Sequence, residues 1–451
     1  MIKVSVIVPL HNSQKYIREC MDSIINQTLH DIEIICIDSG SDETSEIIQT
    51  YAFENKHIKY IYDDNSSYGY KINTGISLAQ GKYIAIVESD DYIRNDMLQI
   101  LFELAECYRV DFVKSDFKKC IDINGKRVEL GIENFSDKTL YNRVISFQEE
   151  PEVKNYIGYN IWVGLYRKEF LVSNDIFLNE SEGASYQDTG FSILMTLLAQ
   201  KVYFTDQQLY IYRIDNNDSS VKSQLKYRCI VDEFCWIKEQ MCRKGLSKVD
   251  DVTFYLNKKI TSYFWNFQRL LPEYQSKFLK EIKLEMITEF PLDSHCVQTS
   301  SNQQLKKIKI LCGDNDSINE FELERAAAYQ DFKKVTQVID SKKEVIIFGA
   351  GIYGEVLIRL GNILSESKIV AVCDNDIQKH NKRILDLKVG IPQETVLKYK
   401  DAFYIIANKK NSQEIFMQLV SYGIQSENIC AVKDIPGSHM LLEAVSKIYL
   451  K

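Results

Sequence analysis

The run Tyr83-Ile84-Ala85-Ile86-Val87 is apolar throughout and closes on Glu88-Ser89-Asp90-Asp91. A short stretch with no polar alternation is the pattern of a strand buried on both faces, as in a parallel sheet. Its acidic residues then emerge at the strand's carboxyl end, the edge over which open α/β sheets bind ligands. Two carboxylates one residue apart suit a hard divalent cation, which would also relieve their mutual repulsion. The competing reading is a solvated turn whose carboxylates cap a helix beginning near Asn95.

The residues before this run support a sheet. Lys3–Pro9 is nearly continuous in β-branched residues, as a central parallel strand requires. Asn12 or Ser13 can cap a helix whose apolar stripe is Tyr16, Ile17, Cys20, Met21, Ile24 and Ile25. Glu33–Ile37 reads as a second strand, followed by Asp38-Ser39-Gly40-Ser41, and Ser41 or Asp42 caps a helix through about Phe53. Ile58–Tyr62 is a third strand, and a short helix around Ile72–Ala79 leads through Gly81 to the fourth. Such alternation predicts a doubly wound sheet with right-handed crossovers. Asp38 then stands at a strand tip, either as an Asx-turn into the next helix or as an acceptor for a base or ribose. Pro9, His11 and Asn12 end the first strand on the same edge.

Beyond Val110 the pattern is less regular. Strand-like pieces occur near Asp111–Phe117 and Lys201–Arg213, with Ile161–Phe170 and a helix opening near Ser185–Asp188 between them. An aspartate just inside a helix start is either a partner for the helix dipole or, as Asp188, a general base. Arg213, with Asp215 and Asn217-Asp218-Ser219-Ser220, forms a polar loop that is either solvated or able to steady a diphosphate. From Gln224 to Lys334 the chain reads as a helical linking region rich in aromatics, with exposed aromatic faces. At Glu344 a third part starts. Val345–Phe348 is a strand, Gly349-Ala350-Gly351-Ile352-Tyr353-Gly354 a glycine turn, and Glu355–Leu364 a helix. Ile369–Cys373 and Ala402–Ala407 supply further strands. Gly349, Gly351, Gly354 and Asp374 are the candidate residues of a second, nucleotide-type site. No catalytic His, Tyr-x-x-x-Lys or Cys constellation accompanies them, so phosphate binding and a purely structural turn both fit. The predicted class is therefore α/β, with three domains at 1–222, 223–340 and 341–451: a doubly wound sheet, a helical middle and a small Rossmann-like unit.

Composition removes several alternatives. At 451 residues with 45% apolar and 26% charged content, the chain can build several cores. A net charge of -8 without a basic cluster gives no footprint for nucleic acid. Eleven cysteines lack C-x-x-C or Cys/His spacing, and those such as Cys20, Cys36 and Cys373 lie in apolar segments, so buried reduced thiols are expected. Met1 runs directly into a strand, and no apolar stretch is long enough to span a bilayer, so a cytoplasmic location is expected. Peripheral contact with the inner membrane face and homo-oligomer formation are compatible with this.

Over roughly residues 3–220 the motifs resemble glycosyltransferase family 2. Val4-Ser5-Val6-Ile7-Val8-Pro9-Leu10-His11-Asn12 resembles that family's opening strand, and Gln27-Thr28 its Gln-Thr after the first helix. Ile37-Asp38-Ser39-Gly40-Ser41 resembles Val-Asp-Asp-Gly-Ser. Asn73-x-Gly75, Ala79 and Gly81-Lys82-Tyr83-Ile84 resemble the segment before the D-x-D element, here Glu88-Ser89-Asp90. Gln187-Asp188 resembles the Glu-Asp pair carrying the catalytic base.

The resemblance implies a GT-A fold and an inverting, metal-dependent transfer of sugar from a nucleotide-diphosphate donor, UDP-linked by expectation. It places Asp38 at the nucleobase, Asp90 at Mn2+ or Mg2+, Glu88 near the ribose or that metal, and Asp188 as the base. Pro9, His11, Asn12, Lys71, Ser89 and Arg213 complete the expected donor site. The acceptor would be a saccharide or lipid-linked saccharide in capsule or other surface-polysaccharide synthesis. Three residues depart from the family pattern: Ser39, Glu88, and Asp215 where many relatives carry His. The last part resembles glycine-turn domains attached to some bacterial surface-polysaccharide enzymes. A sugar-nucleotide-binding scaffold without activity and an NAD(P)-dependent oxidoreductase are the alternatives.

Overall fold

The computed structural model describes residues 1–123, 126–132, 134–135, 137–216, 223–291, 297, 300–340, 344–364, 369–408 and 411–432. The segment Asn217-Asp218-Ser219-Ser220 lies outside the described residues. The chain forms two compact units, one of Met1–Lys119 with Gly131–Asp314, the other of Cys120–Leu130 with Asn315–Lys451.

The first unit is built on β1 (Val4–Leu10), β2 (Ile32–Asp38), β3 (Ile58–Tyr62) and β4 (Tyr83–Ile86), separated by α1 (Ile17–Ile25), α2 (Thr44–Glu54) and α3 (Tyr68–Leu78). These four strands are parallel in the order β3-β2-β1-β4. Every residue of β1 and β2 is buried, which is why neither strand alternates in the sequence. Their register sets Leu10 beside Asp38 and Asp38 beside Tyr62, so the strand tips form one level edge.

Further strands extend the sheet beyond β4: β5 (Tyr92–Ile93), β6 (Phe112–Ile123), β9 (Gly164–Arg167) and β10 (Lys201–Arg213), in the order β4-β9-β6-β10-β5. β9 runs antiparallel to both β4 and β6, and β5 antiparallel to β10. Two short strands, β7 (Lys126–Ile132) and β8 (Val144–Ser146), pair with β6 and β10 off this path. α4 (Met97–Tyr108) starts after Asp96, which makes no side-chain cap, so the Glu88–Asp91 cluster does not serve as that helix's cap. α5 (Lys168–Ser173) follows β9, and α6 (Gln187–Leu198) precedes β10.

The middle of the chain is helical, with α7 (Cys229–Arg243), α8 (Val249–Arg269) and α9 (Pro272–Glu289). Among the described residues, the expected exposed aromatic faces are not found. Phe234, Tyr255, Tyr263, Phe267 and Phe278 turn inward, and Phe234–Tyr263 and Tyr263–Phe278 meet edge to face. Each helix packs against more than one neighbour, so an aromatic stripe finds cover on a side that a lone amphipathic helix would leave open. The expectation of buried thiols also needs correcting. Cys20, Cys36, Cys120, Cys312 and Cys373 are buried, but Cys107, Cys235 and Cys242 are exposed, and all are free.

The second unit carries β11 (Val345–Phe348), β12 (Ile369–Cys373), β13 (Arg383–Ile384), β14 (Leu387–Gly390), β15 (Phe403–Ile406) and β16 (Ile429–Ala431). The order is β13-β14-β12-β11-β15-β16, parallel except at the β13–β14 pair. Among the described residues, no helix is long and apolar enough to cross a membrane.

Candidate active site

The level edge of the parallel strands carries most of the predicted residues. Pro9 lies inside β1, buried, opposite Ile37. After it the chain turns sharply at Asn12, whose φ of 51° is left-handed, and the Asn12 Oδ1 accepts from the Ser41 amide at 2.8 Å. That contact joins the β1 and β2 loops so tightly that a Cβ on Gly40 would stand 2.7 Å from the Asn12 nitrogen. His11 is exposed beside them, its Nδ1 3.2 Å from Ser39 Oγ. Asp38 is buried. It accepts from the Gly40 amide at 2.8 Å and from the Tyr60 hydroxyl at 3.1 Å.

Lys71, on α3, reaches under this edge and donates to the Leu10 carbonyl at 2.8 Å. Burial brings its pKa down to about 8, against the nearby charges of Asp38 and Glu88, which favour the ammonium.

Glu88, Ser89 and Asp90 follow β4. Glu88 Oε1 accepts from the Tyr68 hydroxyl at 2.5 Å, and Ser89 Oγ lies 2.6 Å from Ser13 Oγ. Asp90 Oδ2 accepts from Asn216 at 2.8 Å. Burial raises Glu88 to about 8; the Tyr68 hydroxyl opposes this, and the charges of Asp90 and Asp188 reinforce it. Burial likewise raises Asp90 above the usual carboxylate range. Two carboxylates that burial keeps from ionising freely fit a divalent cation, which would supply the missing counter-charge. Among the described residues no group of three His, Cys, Asp or Glu could hold a metal. A cation held by one or two carboxylates and by substrate phosphates needs no third protein ligand.

Asp91 has a different task. It is buried, and its carboxylate accepts from the Tyr210 hydroxyl at 2.8 Å and the Arg213 amide at 2.7 Å. The same Tyr210 oxygen accepts from the Glu88 amide at 3.1 Å. Asp91 and Tyr210 thus lock the end of β10 to the acidic loop. Arg213 is buried and engaged within the protein: it donates to the Asp90 carbonyl at 3.0 Å, pairs with Glu19 at 2.5 Å and Asp215 at 3.8 Å, and covers the Tyr16 ring.

Asp188 enters from α6. Tyr186, before the helix, is left-handed with φ of 68°, and Gln187 ties down the approaching loop through Ser181 and Gly183. Asp188 Oδ1 accepts from the Thr189 amide at 2.8 Å. Burial raises it to about 6, against the Thr189 amide and the cation of Lys114, which favour the carboxylate. Asp188 in turn raises Glu88 and Tyr68, so α6 and the acidic loop share one electrostatic environment. The loop before α6 is fastened to α3. The Tyr68 amide donates to Gly183 O at 2.9 Å, and Asn73 exchanges two hydrogen bonds with Leu178, each 2.9 Å.

In the second unit Gly349 has φ of 123°, and a Cβ there would stand 2.8 Å from the Ala407 carbonyl oxygen. Asp374 turns back onto the glycine turn: it accepts from the Ala350 amide at 2.6 Å and pairs with Lys379 at 3.0 Å. A Cβ on Gly354 would meet the Gly349 carbonyl, and one on Gly351 would meet nothing within 4 Å.

The family model for glycosyl transferase family 2 matches residues 5–164. The likeness to that family lies in residues 5–164, the stretch that runs from β1 through β4 and past the acidic loop. Among curated proteins the chain is 32% identical over 231 residues to an uncharacterized glycosyltransferase, EpsJ of Bacillus subtilis, covering 51% of this chain and 65% of that protein. It is 29% identical over 216 residues to the glycosyltransferase GlyA of Streptococcus pneumoniae, covering 47% of this chain and 30% of that one. The match thus spans less than two thirds of either relative. Residues 1–349 of S. aureus TarS superpose with a TM-score of 0.52 at 18% identity, covering 72% of this chain and 92% of that structure. The same TarS segment in complex with UDP-GlcNAc gives 0.51 at 20% identity, covering 63% and 81%. These likenesses establish a GT-A fold.

Within the first unit, several residues of the site carry no motif. Tyr68, Tyr210, Asp91, Lys114 and Glu233 come from five separate elements or loops and are joined only by folding. Asp91 had a signal, as the last acid of the cluster after β4. A tyrosine or lysine inside a strand has none.

Proposed function

We propose that this chain is an inverting glycosyltransferase that moves a sugar from a nucleotide-diphosphate donor to a hydroxyl of a surface-polysaccharide acceptor. The observation that carries this reading is the meeting of Asp38, Glu88 and Asp90, at the carboxyl edge of a parallel sheet, with a partly ionisable Asp188 from α6. Asp38 and Lys71 would flank the nucleoside, and Pro9, His11, Asn12 and Ser89 shape the loop over which it lies. Arg213 serves by holding the acidic loop in place through the Asp90 carbonyl. Asp90 and Glu88 would hold Mn2+ or Mg2+, which neutralises charge on a departing diphosphate.

The proton chemistry belongs to Asp188. Its carboxylate takes the acceptor's hydroxyl proton while that oxygen bonds to the anomeric carbon and the bond to the diphosphate oxygen breaks. Attack from the face opposite the leaving group inverts the centre. TarS is described in complex with UDP-GlcNAc, so that donor is the first to try.

The test is a thermal-shift screen of nucleotide sugars with and without manganese, then turnover of the best donor. Asp188→Asn should lose about 10²–10⁴-fold in turnover and keep donor binding. Near-normal turnover in that variant rejects the base. Donor binding indifferent to both chelation and Asp90→Ala rejects the metal site.

A further inference from the structure

Lys114 lies on β6 and is 3% exposed. Its ammonium donates to the Gly158 carbonyl at 3.0 Å, and the same oxygen accepts from Ser192 Oγ at 3.0 Å. Ser192 stands four residues after Asp188 on α6, so the two share one face of that helix. One carbonyl therefore brings a buried cation against the face of α6 that carries the proposed base.

We propose that Lys114 is a positioning residue for Asp188, a buried ammonium that favours the carboxylate form and so readies it to accept the acceptor's proton. The inference rests on reading Asp188 as the base. Asp188 has several titratable neighbours. Glu88 and Tyr68 lie at the acidic loop and α3, Tyr159 precedes β9, Tyr186 precedes α6, Glu233 is on α7, and Lys258, on α8, acts on Lys114. Lys258 is spent on the carbonyls of Asn155 at 3.0 Å and Ile157 at 2.6 Å.

Comparison with Glu233 shows what the lysine does. Glu233 and Asp188 are both carboxylic acids in poorly solvated surroundings, and both are pushed up by burial. Burial carries Glu233 to about 8 despite the Asn179 amide and with the added charge of Asp188, whereas Asp188, opposed by the Thr189 amide and then by Lys114, stops at about 6. Two acids driven apart in this way take different roles at neutral pH. The support is mutual: burial and the charge of Lys258 bring Lys114 down to about 7, against the carboxylate of Asp188.

The experiment needs neither donor nor acceptor. Full-length protein is labelled with 13C at aspartate carboxyls, and the resonance missing from Asp188→Asn is titrated from pH 4 to 9. Lys114→Met should move its midpoint up by about one unit or more, the usual effect of losing a nearby opposite charge. Lys114→Arg should stay near the wild-type midpoint. An unchanged midpoint in a folded Lys114→Met overturns the inference, since a merely structural lysine would alter stability and leave the titration alone. Should Lys114→Met fail to fold, Lys114→Gln carries the same test. If Asp188→Asn keeps its turnover while the midpoint still moves, the base assignment fails and the electrostatic coupling stands.

Discussion

Tyr210→Phe removes a single oxygen from a wholly buried ring that packs on Trp162, with centroids 4.4 Å apart. The ring stays, so packing is conserved and the hydroxyl's two hydrogen bonds are what is lost. Asp91 keeps only its bond from the Arg213 amide of the two that β10 supplied, and the Glu88 amide loses its acceptor. A buried polar group left without its partner costs about 1–3 kcal/mol. The two losses share one atom, so together they should come to about 2–4 kcal/mol. The cost falls on the loop that presents Glu88 and Asp90, and its local opening is the quantity to measure. Amide hydrogen exchange over residues 83–97 should speed up about 30- to 1,000-fold, with residues 345–373 of the second unit as an internal control. Donor affinity should weaken in parallel, because the acidic loop would be held less firmly. Exchange over 83–97 unchanged within a factor of two would refute the claim that Tyr210 and Asp91 hold this loop.

Three further outcomes are expected. Asp188 works only as a carboxylate, and its pKa is raised to about 6, so turnover should rise with pH through 6 and fall to roughly a tenth of its plateau by about pH 5. A pH–rate profile reads this directly, and an acid limb near 4 would contradict it. Glu233 is raised from 4.5 to about 8, so the wild type loses stability as pH climbs between those values. Glu233→Gln lacks that slope, and its melting temperature relative to wild type should improve steadily from pH 5 to 8.5; a flat difference would show Glu233 ionising freely. At Gly69 a Cβ would stand 1.9 Å from the Asn179 carbonyl oxygen, so Gly69→Ala must push α3 off the loop that leads to α6. It should cost at least about 1–3 kcal/mol in thermal unfolding and lower turnover as well.

The strands of the first sheet were legible because burial on both faces leaves an unbroken apolar run, and a run that ends on acids announces which end faces a ligand. Asp38 and the Glu88–Asp90 pair were found in this way, and the register confirms that the strand tips share one edge. The middle was rightly read as helical, but its aromatic faces were misread because spacing shows that a stripe exists without showing what covers it. Phe234, Tyr263 and Phe278 lie on three different helices and bury one another.

The charge state of the site was not legible at all, for a related reason. Whether an aspartate is a base or an ordinary acid depends on burial and on charges brought from elsewhere, here Lys114 from β6 and Glu233 from α7. Apart from the family resemblance of Gln187-Asp188, Asp188 was visible only as an acid in the first turn of a helix, where a dipole partner and a base look alike. What separates the two is how far the half-buried carboxylate is withdrawn from water. An exposed helix-start aspartate is drawn below its ordinary pKa by the dipole and is a poor base near neutrality. Asp188 is instead lifted to about 6 by burial while a cation limits the rise, which places it where a general base is most effective. On the proposed reading, the helix start supplies the position, burial lifts the pKa, and the lysine from a distant strand limits the rise.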